Sequence, residues 1–368
     1  MIIGIDATRA NKPQKTGVEW YSFFLIKEMI QQAPDITFRL YFNSEPESRL
    51  QNLGSNVEYR QLRWPFRYLW TQIRLSLEMV WHRPDVLFIP ASIIPFISAP
   101  NTVTCIHDVA YEVYKHDLSQ KSRWYLRLAT YWAKWFCRQI TTVSEFSKQE
   151  IIKYYNFNPQ RITVTHLGLN WPVINTVMAE HAVTPPAEYL IFVSRLESKK
   201  NIARLMEVFV ATRQTEWGKN LKLYLVGFPS RGWNEAEAIM NKHDLESAVV
   251  PTGWITEEEK FRLIRGARAL LHFAKYEGFG FSPLEAMACG TPAVVNNATC
   301  LPEICGQAAY LVDVNDTEAT LMAIEQTLHN PEMRQRLIGA GLTHSQQYTW
   351  VVTAKKTLEV LRAVYDRS

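Results

Sequence analysis

At 368 residues the chain is long enough for two domains of ordinary size, each with its own core. A composition of 47% hydrophobic and 21% charged residues, without a low-complexity tract, excludes a disordered or fibrous protein. The net charge is only +4, yet residues 1–170 carry twenty Lys and Arg against fourteen Asp and Glu, and the remainder twenty against twenty-two; the basic first half points to an anionic surface or substrate, and no nucleic acid is expected.

The chain opens on Met1-Ile-Ile-Gly-Ile-Asp6, which reads directly as a strand, so no signal peptide is expected and the protein is assigned to the cytoplasm. Cys105, Cys137, Cys289, Cys300 and Cys305 form no CxxC pair, which fits a reducing compartment and argues against structural zinc. Short β-type runs at 2–5, 37–41, 86–89, 102–106, 139–143 and 162–165 alternate with helical patterns, the order expected of a parallel α/β sheet. Thr16-Gly17-Val18-Glu19 opens a helix through Met29. From Val86 to His107 there is no Asp, Glu, Lys or Arg, a length that invites a membrane span. Pro90, Pro95, Pro100 and Asn101 break it into strand, loop and strand.

Two helical segments stand out in this half. Over 63–81, Phe66, Leu69, Ile73, Leu77 and Val80 recur at three- and four-residue spacing and read as a core stripe, with Arg63, Arg67, Trp70 and Arg74 together on another face. Over 121–138, Arg123, Trp124, Arg127, Trp132, Lys134, Trp135 and Arg138 make a second basic-aromatic helix. Such faces suit a phospholipid headgroup layer, with Trp at the interface and Arg on phosphate, and a peripheral place on the inner face of the membrane follows from that reading. A solvated face with buried rings is the other reading. His107-Asp108 follows strand 102–106. Of the three His-Asp pairs, which include His116-Asp117 and His243-Asp244, only this one puts its His at a clear strand end, where open α/β sheets place their ligand contacts.

Between His166 and Glu188 the periodicity dissolves, and 171–187 reads as a linker between domains at 1–170 and 188–347. A second alternating series follows at 189–193, 222–226, 248–251, 269–273 and 293–295, and a helix at 348–365 lies in the last segment, 348–368. Arg195 leaves the end of strand 189–193, and Lys200 comes five residues later near a helix start. Two fixed cations so placed neutralise the charge that develops on a departing diphosphate. No Asp-x-Asp occurs in the chain, so neither a metal nor another cofactor is expected.

Glu277-Gly-Phe-Gly-Phe-Ser-Pro-Leu-Glu285 follows the apolar run 269–273. Gly278 and Gly280 admit backbone angles closed to other residues and let a ligand approach the chain. A loop between a strand's carboxyl end and a helix start is an anion site. Glu277 and Glu285, one at each end, can accept hydrogen bonds from sugar hydroxyls, so the stretch suits a nucleotide-sugar. Ser282-Pro-Leu-Glu285 is also a capping box, a reading that leaves Glu277, the two glycines, Phe279 and Phe281 unexplained. Pro283 suits the first helical position and Gly290 a helix stop.

This stretch, continued by Ala-Met-Ala-Cys-Gly-Thr-Pro-Ala-Val, resembles the Glu-x7-Glu motif of the family 4 retaining glycosyltransferases, whose fold is GT-B. Separated motifs resemble that family in the same order through nearly the whole chain. Thr142-Val-Ser-Glu-Phe-Ser147 is similar to the end of its N-terminal domain, 189–201 to its Arg and Lys motif, and Gly253-Trp254 to the segment lining the nucleotide base. The resemblance implies an α/β fold of two Rossmann-like, doubly wound domains facing a cleft, with the last helix crossing back to the first domain. It implies that His107 lies near the transferred sugar, that Arg195 and Lys200 hold the diphosphate, that Glu277 orients the sugar and that Glu285 takes the ribose hydroxyls. Gly17, Gly253, Trp254, Gly278, Phe279, Gly280, Phe281, Ser282 and Leu284 complete the implied donor site. Lys200, not Lys199, aligns with the family's lysine. The chain departs from the family at Phe273-Ala274, where Pro-Ser is usual, and at Ser194, where Gly is usual.

The implied reaction is retaining transfer of a hexose from a nucleotide-diphosphate sugar, first of all GDP-mannose, to a glycan or lipid-linked glycan, in the manner of bacterial mannosyl- and glucosyltransferases of surface-polysaccharide assembly. A nucleotide-sugar epimerase of the same fold is one alternative, and it needs further acid–base residues that the sequence does not offer. A non-catalytic nucleotide-sugar-binding protein is the other, and it would be expected to lack one of His107, Arg195, Lys200 or Glu277.

Overall fold

In the strands nearest the middle of each sheet apolar residues dominate: Ile2–Asp6 reads Ile-Ile-Gly-Ile-Asp, Val86–Ile89 Val-Leu-Phe-Ile and Tyr189–Val193 Tyr-Leu-Ile-Phe-Val. Runs of this kind are buried on both faces and belong to parallel sheets covered by helices on each side. The computed structural model describes residues 1–66, 68–115, 117–181 and 188–367. Among them the strands form two all-parallel sheets, one in a unit of Met1–Gly168 with the segment from Tyr348 onwards, the other in a unit of Leu169–Gln347.

The first unit holds β1 (Ile2–Asp6), β2 (Thr37–Phe42), β3 (Val57–Gln61), β4 (Val86–Ile89), β5 (Thr102–Cys105), β6 (Gln139–Thr142) and β7 (Ile162–Val164), in the order β3-β2-β1-β4-β5-β6-β7. The chain starts mid-sheet, with Ile5 opposite both Leu40 and Phe88, and the order reverses between β1 and β4. At such a reversal the loops part and leave a crevice at the carboxyl ends of the strands. Tyr41, Leu87, Ile89, Ile106 and Ile140 belong to its core. The last helix, Trp350–Asp366, packs within this unit on the helix Gly17–Gln32: Trp350 stacks on Phe24 at 5.5 Å and Gln32 Nε2 donates to the Val351 carbonyl at 3.0 Å. Gly168 passes so close that a Cβ there would lie 2.2 Å from the Trp350 nitrogen.

The second unit holds β8 (Tyr189–Val193), β9 (Lys222–Val226), β10 (Val249–Gly253), β11 (Ala269–His272), β12 (Ala293–Asn296) and β13 (Tyr310–Val312), in the order β10-β9-β8-β11-β12-β13. Here the reversal falls between β8 and β11. Leu190, Phe192, Leu223, Leu271 and Val294 fill the core.

Two sequence expectations are corrected. The supposed linker at 171–187 begins as a helix, Trp171–Ala179, started by Pro172 and held to the helix Glu257–Gly266. Arg262 donates to both carboxylate oxygens of Glu180 at 2.7 and 2.8 Å, and Arg265 to the carbonyls of Val177 and Glu180. Residues 182–187 of that stretch lie outside the described residues, as do Arg67, His116 and Ser368.

The stripe over 63–81 is inverted. Phe66, Leu69, Ile73, Leu77 and Val80 are exposed, whereas Trp70, Leu75 and Met79 are buried. Leu69 takes a left-handed φ of 65° and a π-helical turn, Trp70–Arg74, precedes the helix Leu75–Trp81; together they rotate the phase that a plain helix would keep. The expected basic face goes with it: Trp70 enters the core, donating Nε1–H to the Leu62 carbonyl at 2.7 Å, and Arg74 pairs with Glu78 at 3.3 Å.

Candidate active site

In the second unit the site is built where the strand order reverses. After β8 the chain turns through Arg195, which is exposed, to Lys200, which is buried. After β11 it turns through Ala274–Glu277. The two turns are stitched together, because the Lys199 carbonyl accepts the N–H of Lys275 at 2.9 Å, and Asn296 at the end of β12 donates its amide to the Ala274 carbonyl at 2.9 Å. This carries the Lys200 ammonium onto Glu277 Oε1. His272, the last residue of β11 and fully buried, stands with Nε2 3.1 Å from the same oxygen. Burial alone would raise the Glu277 carboxyl, but Lys200 and His272 outweigh it and hold the group well below the usual carboxylate range. Glu277 is thus a fixed anion and hydrogen-bond acceptor, with Oε1 taken by Lys200 and His272. Lys199 turns to Glu197 instead, at 3.3 Å.

Gly280 closes the loop with φ 94°, an angle that favours glycine, while a Cβ there would meet only the movable end of Leu301, Cδ2, at 2.8 Å. Because Gly280 is the cap, the helix Phe281–Ala288 starts before Ser282, and the capping-box reading is corrected. Ser282 Oγ donates to the Val193 carbonyl at 2.5 Å and ties the helix start to β8. Pro283 occupies the third helical position, still within the first turn, and Gly290 with φ 70° follows the helix end. Glu285 turns to Lys260, whose Nζ donates to it at 2.7 Å and to Glu257 at 2.9 Å. Burial pushes the Glu285 carboxyl up against the pull of Lys260, with Glu257 adding to the rise. Lys260, despite burial, is kept protonated by the two carboxylates.

Phe279 and Leu284 are buried behind the loop, and Gly278 is buried with them. Phe281 lies edge-on to Phe279 at 5.3 Å. On the other side of β8, Gly253 ends β10 with φ 69° and accepts the Gly227 N–H at 3.1 Å, and Trp254 after it is exposed.

His107 and Gly17 belong to the first unit, so the implied donor set is divided between the units. His107 stands two residues beyond β5, donates Nε2–H to the Pro90 carbonyl at 3.0 Å and lies edge-on to Tyr21 at 4.6 Å. Burial would lower its imidazole; the Cys105 thiol beside it and the Pro90 carbonyl raise it above its ordinary value. Gly17 is exposed at a helix start whose preceding Thr16 N–H donates to Glu19 at 3.2 Å. A cavity of about 440 Å³ opens at this unit's own strand reversal, lined among others by Asp6, Arg9, Lys12, Gln72, Pro90 and Tyr125. Sequence reasoning missed His272 and Lys260. A histidine ending the buried run Ala-Leu-Leu-His was a usable signal. Lys260, within Glu-Glu-Glu-Lys, reads as a solvated helix face and gave none.

Family models match most of the chain in two pieces: Glycosyltransferase Family 4 over residues 16–170 and glycosyl transferases group 1 over residues 174–343. The chain is similar to O-antigen chain mannosyltransferase B of Escherichia coli, 25% identical over 97% of this chain and 99% of that protein. It is 23% identical to the serotype-specific mannosyltransferase WbdA of Escherichia coli over 60% of this chain, but spans only 28% of that longer protein. Among solved structures, Anabaena HepE in complex with UDP and glucose is similar in fold, with a TM-score of 0.72 at 17% identity over 98% of this chain and 99% of that one. Two doubly wound parallel sheets in series are the GT-B architecture.

Proposed function

The chain belongs to the glycosyltransferases of group 1 and family 4, and from that premise we propose that it moves a hexose from a nucleotide-diphosphate sugar to a glycan or lipid-linked glycan, retaining the anomeric configuration. The observation that carries the reading is the Lys200–Glu277–His272 cluster at the strand reversal, with the exposed Arg195 on the turn after β8. Two cations and a glycine loop favour a diphosphate, and a carboxylate held ionised favours a sugar hydroxyl.

In the proposed reaction the bond from the sugar C1 to the diphosphate oxygen breaks. The bond from the acceptor oxygen to C1 forms on the same face, and the acceptor proton passes to the departing phosphate oxygen. Lys200 and Arg195 stabilise the charge on the diphosphate, so the step proceeds without a metal. Glu277 orients the sugar, Glu285 with Lys260 takes the ribose hydroxyls, and Gly253 and Trp254 border the base. Mannose is the first choice of sugar and GDP of carrier because two mannosyltransferases are among the similar proteins. A UDP-sugar is the second, since HepE holds UDP.

A panel of nucleotide-sugars in a thermal-shift assay tests this. A donor at a hundred times its Kd stabilises the fold by about 2.7 kcal/mol, and GDP-mannose is expected to give the largest shift, lost in Glu277→Gln. A larger shift with a UDP-sugar reassigns the donor. No shift with any nucleotide-sugar contradicts the site, and consumption of donor without release of nucleoside diphosphate favours the epimerase.

A further inference from the structure

No helix among the described residues is long and apolar enough to cross a membrane. The helix Gln120–Phe136 nevertheless turns an apolar stripe outward. Trp124, Leu128, Tyr131 and Trp135 follow one another at spacings of four, three and four, which is one helix face, and all are exposed, Leu128 by 61% and Trp135 by 74%. The helix's buried residues are only Thr130 and Ala133. A contiguous apolar surface of this kind on a water-exposed helix marks an interaction site.

The stripe does not end with the helix. Phe96, exposed in the loop between β4 and β5, lies edge-on to Trp132 at 6.0 Å, and its neighbour Ile97 is exposed as well. The Ile97 N–H donates to Ser76 Oγ at 3.1 Å, which sets this loop against the helix Leu75–Trp81, whose Leu77 and Val80 also face out. A groove of about 690 Å³ runs between Phe96, Ile97, Trp135 and Phe136, with Arg138 and Arg161 on its wall.

Charge decides what fits this face. The helix Gln120–Phe136 carries Lys121, Arg123, Arg127 and Lys134 and no Asp or Glu, and residues 86–107 carry no acid either. Arg123 and Arg127 turn inward to Glu112, at 3.5 and 3.0 Å, and Arg161 donates to the Lys134 carbonyl at 3.1 Å. Lys121 and Arg138 stay exposed near the two ends of the stripe, whereas Lys134, 5.8 Å over the Trp135 ring, donates from Nζ to the Tyr155 carbonyl at 2.8 Å. A second copy of the chain would bring cations against cations, whereas an anionic lipid surface offers phosphates to the rim and an acyl boundary to the rings.

We propose that this face seats the protein on an anionic lipid surface, with Trp124, Leu128 and Trp135 entering the boundary and Lys121 and Arg138 meeting headgroup phosphate. Of the two faces expected at 63–81 and 121–138 it keeps the second, since in the first Trp70 is buried and Arg74 is paired with Glu78. It does not rest on the transferase reading.

The test is co-sedimentation of the full chain with vesicles of phosphatidylcholine alone or with ~30% phosphatidylglycerol, at low and raised salt. The protein is expected in the pellet with the anionic vesicles at low salt, to stay in the supernatant with neutral ones and to be released by salt. Leu128→Glu/Trp135→Glu, at exposed positions and checked by an unchanged melting curve, should lower partitioning about tenfold or more. Lys121→Glu/Arg138→Glu, which leaves the stripe intact, should weaken binding and flatten its salt dependence. Wild type remaining in the supernatant with anionic vesicles overturns the proposal, as does equal pelleting of the Leu128/Trp135 variant. A dimer that this variant dissociates, with no vesicle binding by either, also overturns it and assigns the face to a second copy.

Discussion

Glu277 illustrates how one residue is fixed by others far away in sequence. Lys200 and His272 both approach its Oε1, from the turn after β8 and the end of β11. The arrangement has a pH signature. A carboxyl whose folded value is depressed adds stability that is fully present above its unfolded value, about 4.3, and is lost as pH falls below it. The wild-type melting temperature should therefore drop more steeply between pH 5 and pH 3 than that of Glu277→Gln, measured by calorimetry; parallel curves contradict the pairing. The sequence pointed to Glu277, Arg195 and Lys200 because the spacing of carboxylate, glycines and cations is local. It was silent on His272 and on the Lys260 grip on Glu285, because those contacts depend on which strands and helices become neighbours.

At the scale of elements, apolar runs identified the central strands, since a strand buried on both faces has little choice of composition. The edge strands β3 and β13 escaped notice: Val-Glu-Tyr-Arg-Gln is half polar and Tyr-Leu-Val is only three residues long. A left-handed Leu69 and the π-helical turn after it together inverted the stripe, and a positive φ at Gly280 moved the helix cap ahead of Ser282. Backbone angles of this kind are invisible to periodicity. The helix Pro331–Ser345 gives a test of packing at this level. A Cβ on Gly339 would meet nothing within 4 Å, so Gly339→Ala should stabilise by about 0.5–1 kcal/mol by relieving glycine's entropic cost in a helix. A Cβ on Gly341 would stand 3.1 Å from Met287 Cγ and 3.3 Å from its Cα, so Gly341→Ala should destabilise instead. Denaturant melts of the two variants decide it: shifts of the same sign contradict the packing of this helix on Met287.

For the whole molecule, the alternation of strands and helices and the order of the motifs were enough to read two doubly wound sheets. Each sheet starts mid-order and reverses next to its first strand, and each has polar side chains gathered there: Asp6, Arg9 and Lys12 in the first unit, Lys200 and Glu277 in the second. Which sugar and base are taken was not legible, because neither the spacing of carboxylate and cations nor the glycine loop distinguishes one nucleotide-sugar from another. The central claim is that the cations at the second reversal carry a metal-free transfer. It is tested most directly by the rate of nucleoside diphosphate release from the best-binding nucleotide-sugar, without acceptor and in excess EDTA, for wild type, Lys200→Ala and Lys199→Ala. The account predicts an undiminished wild-type rate, a loss of ~10²–10³ in Lys200→Ala and a mild effect in Lys199→Ala. Equal losses in the two variants, or a wild-type rate restored only by Mg²⁺ or Mn²⁺, would contradict it.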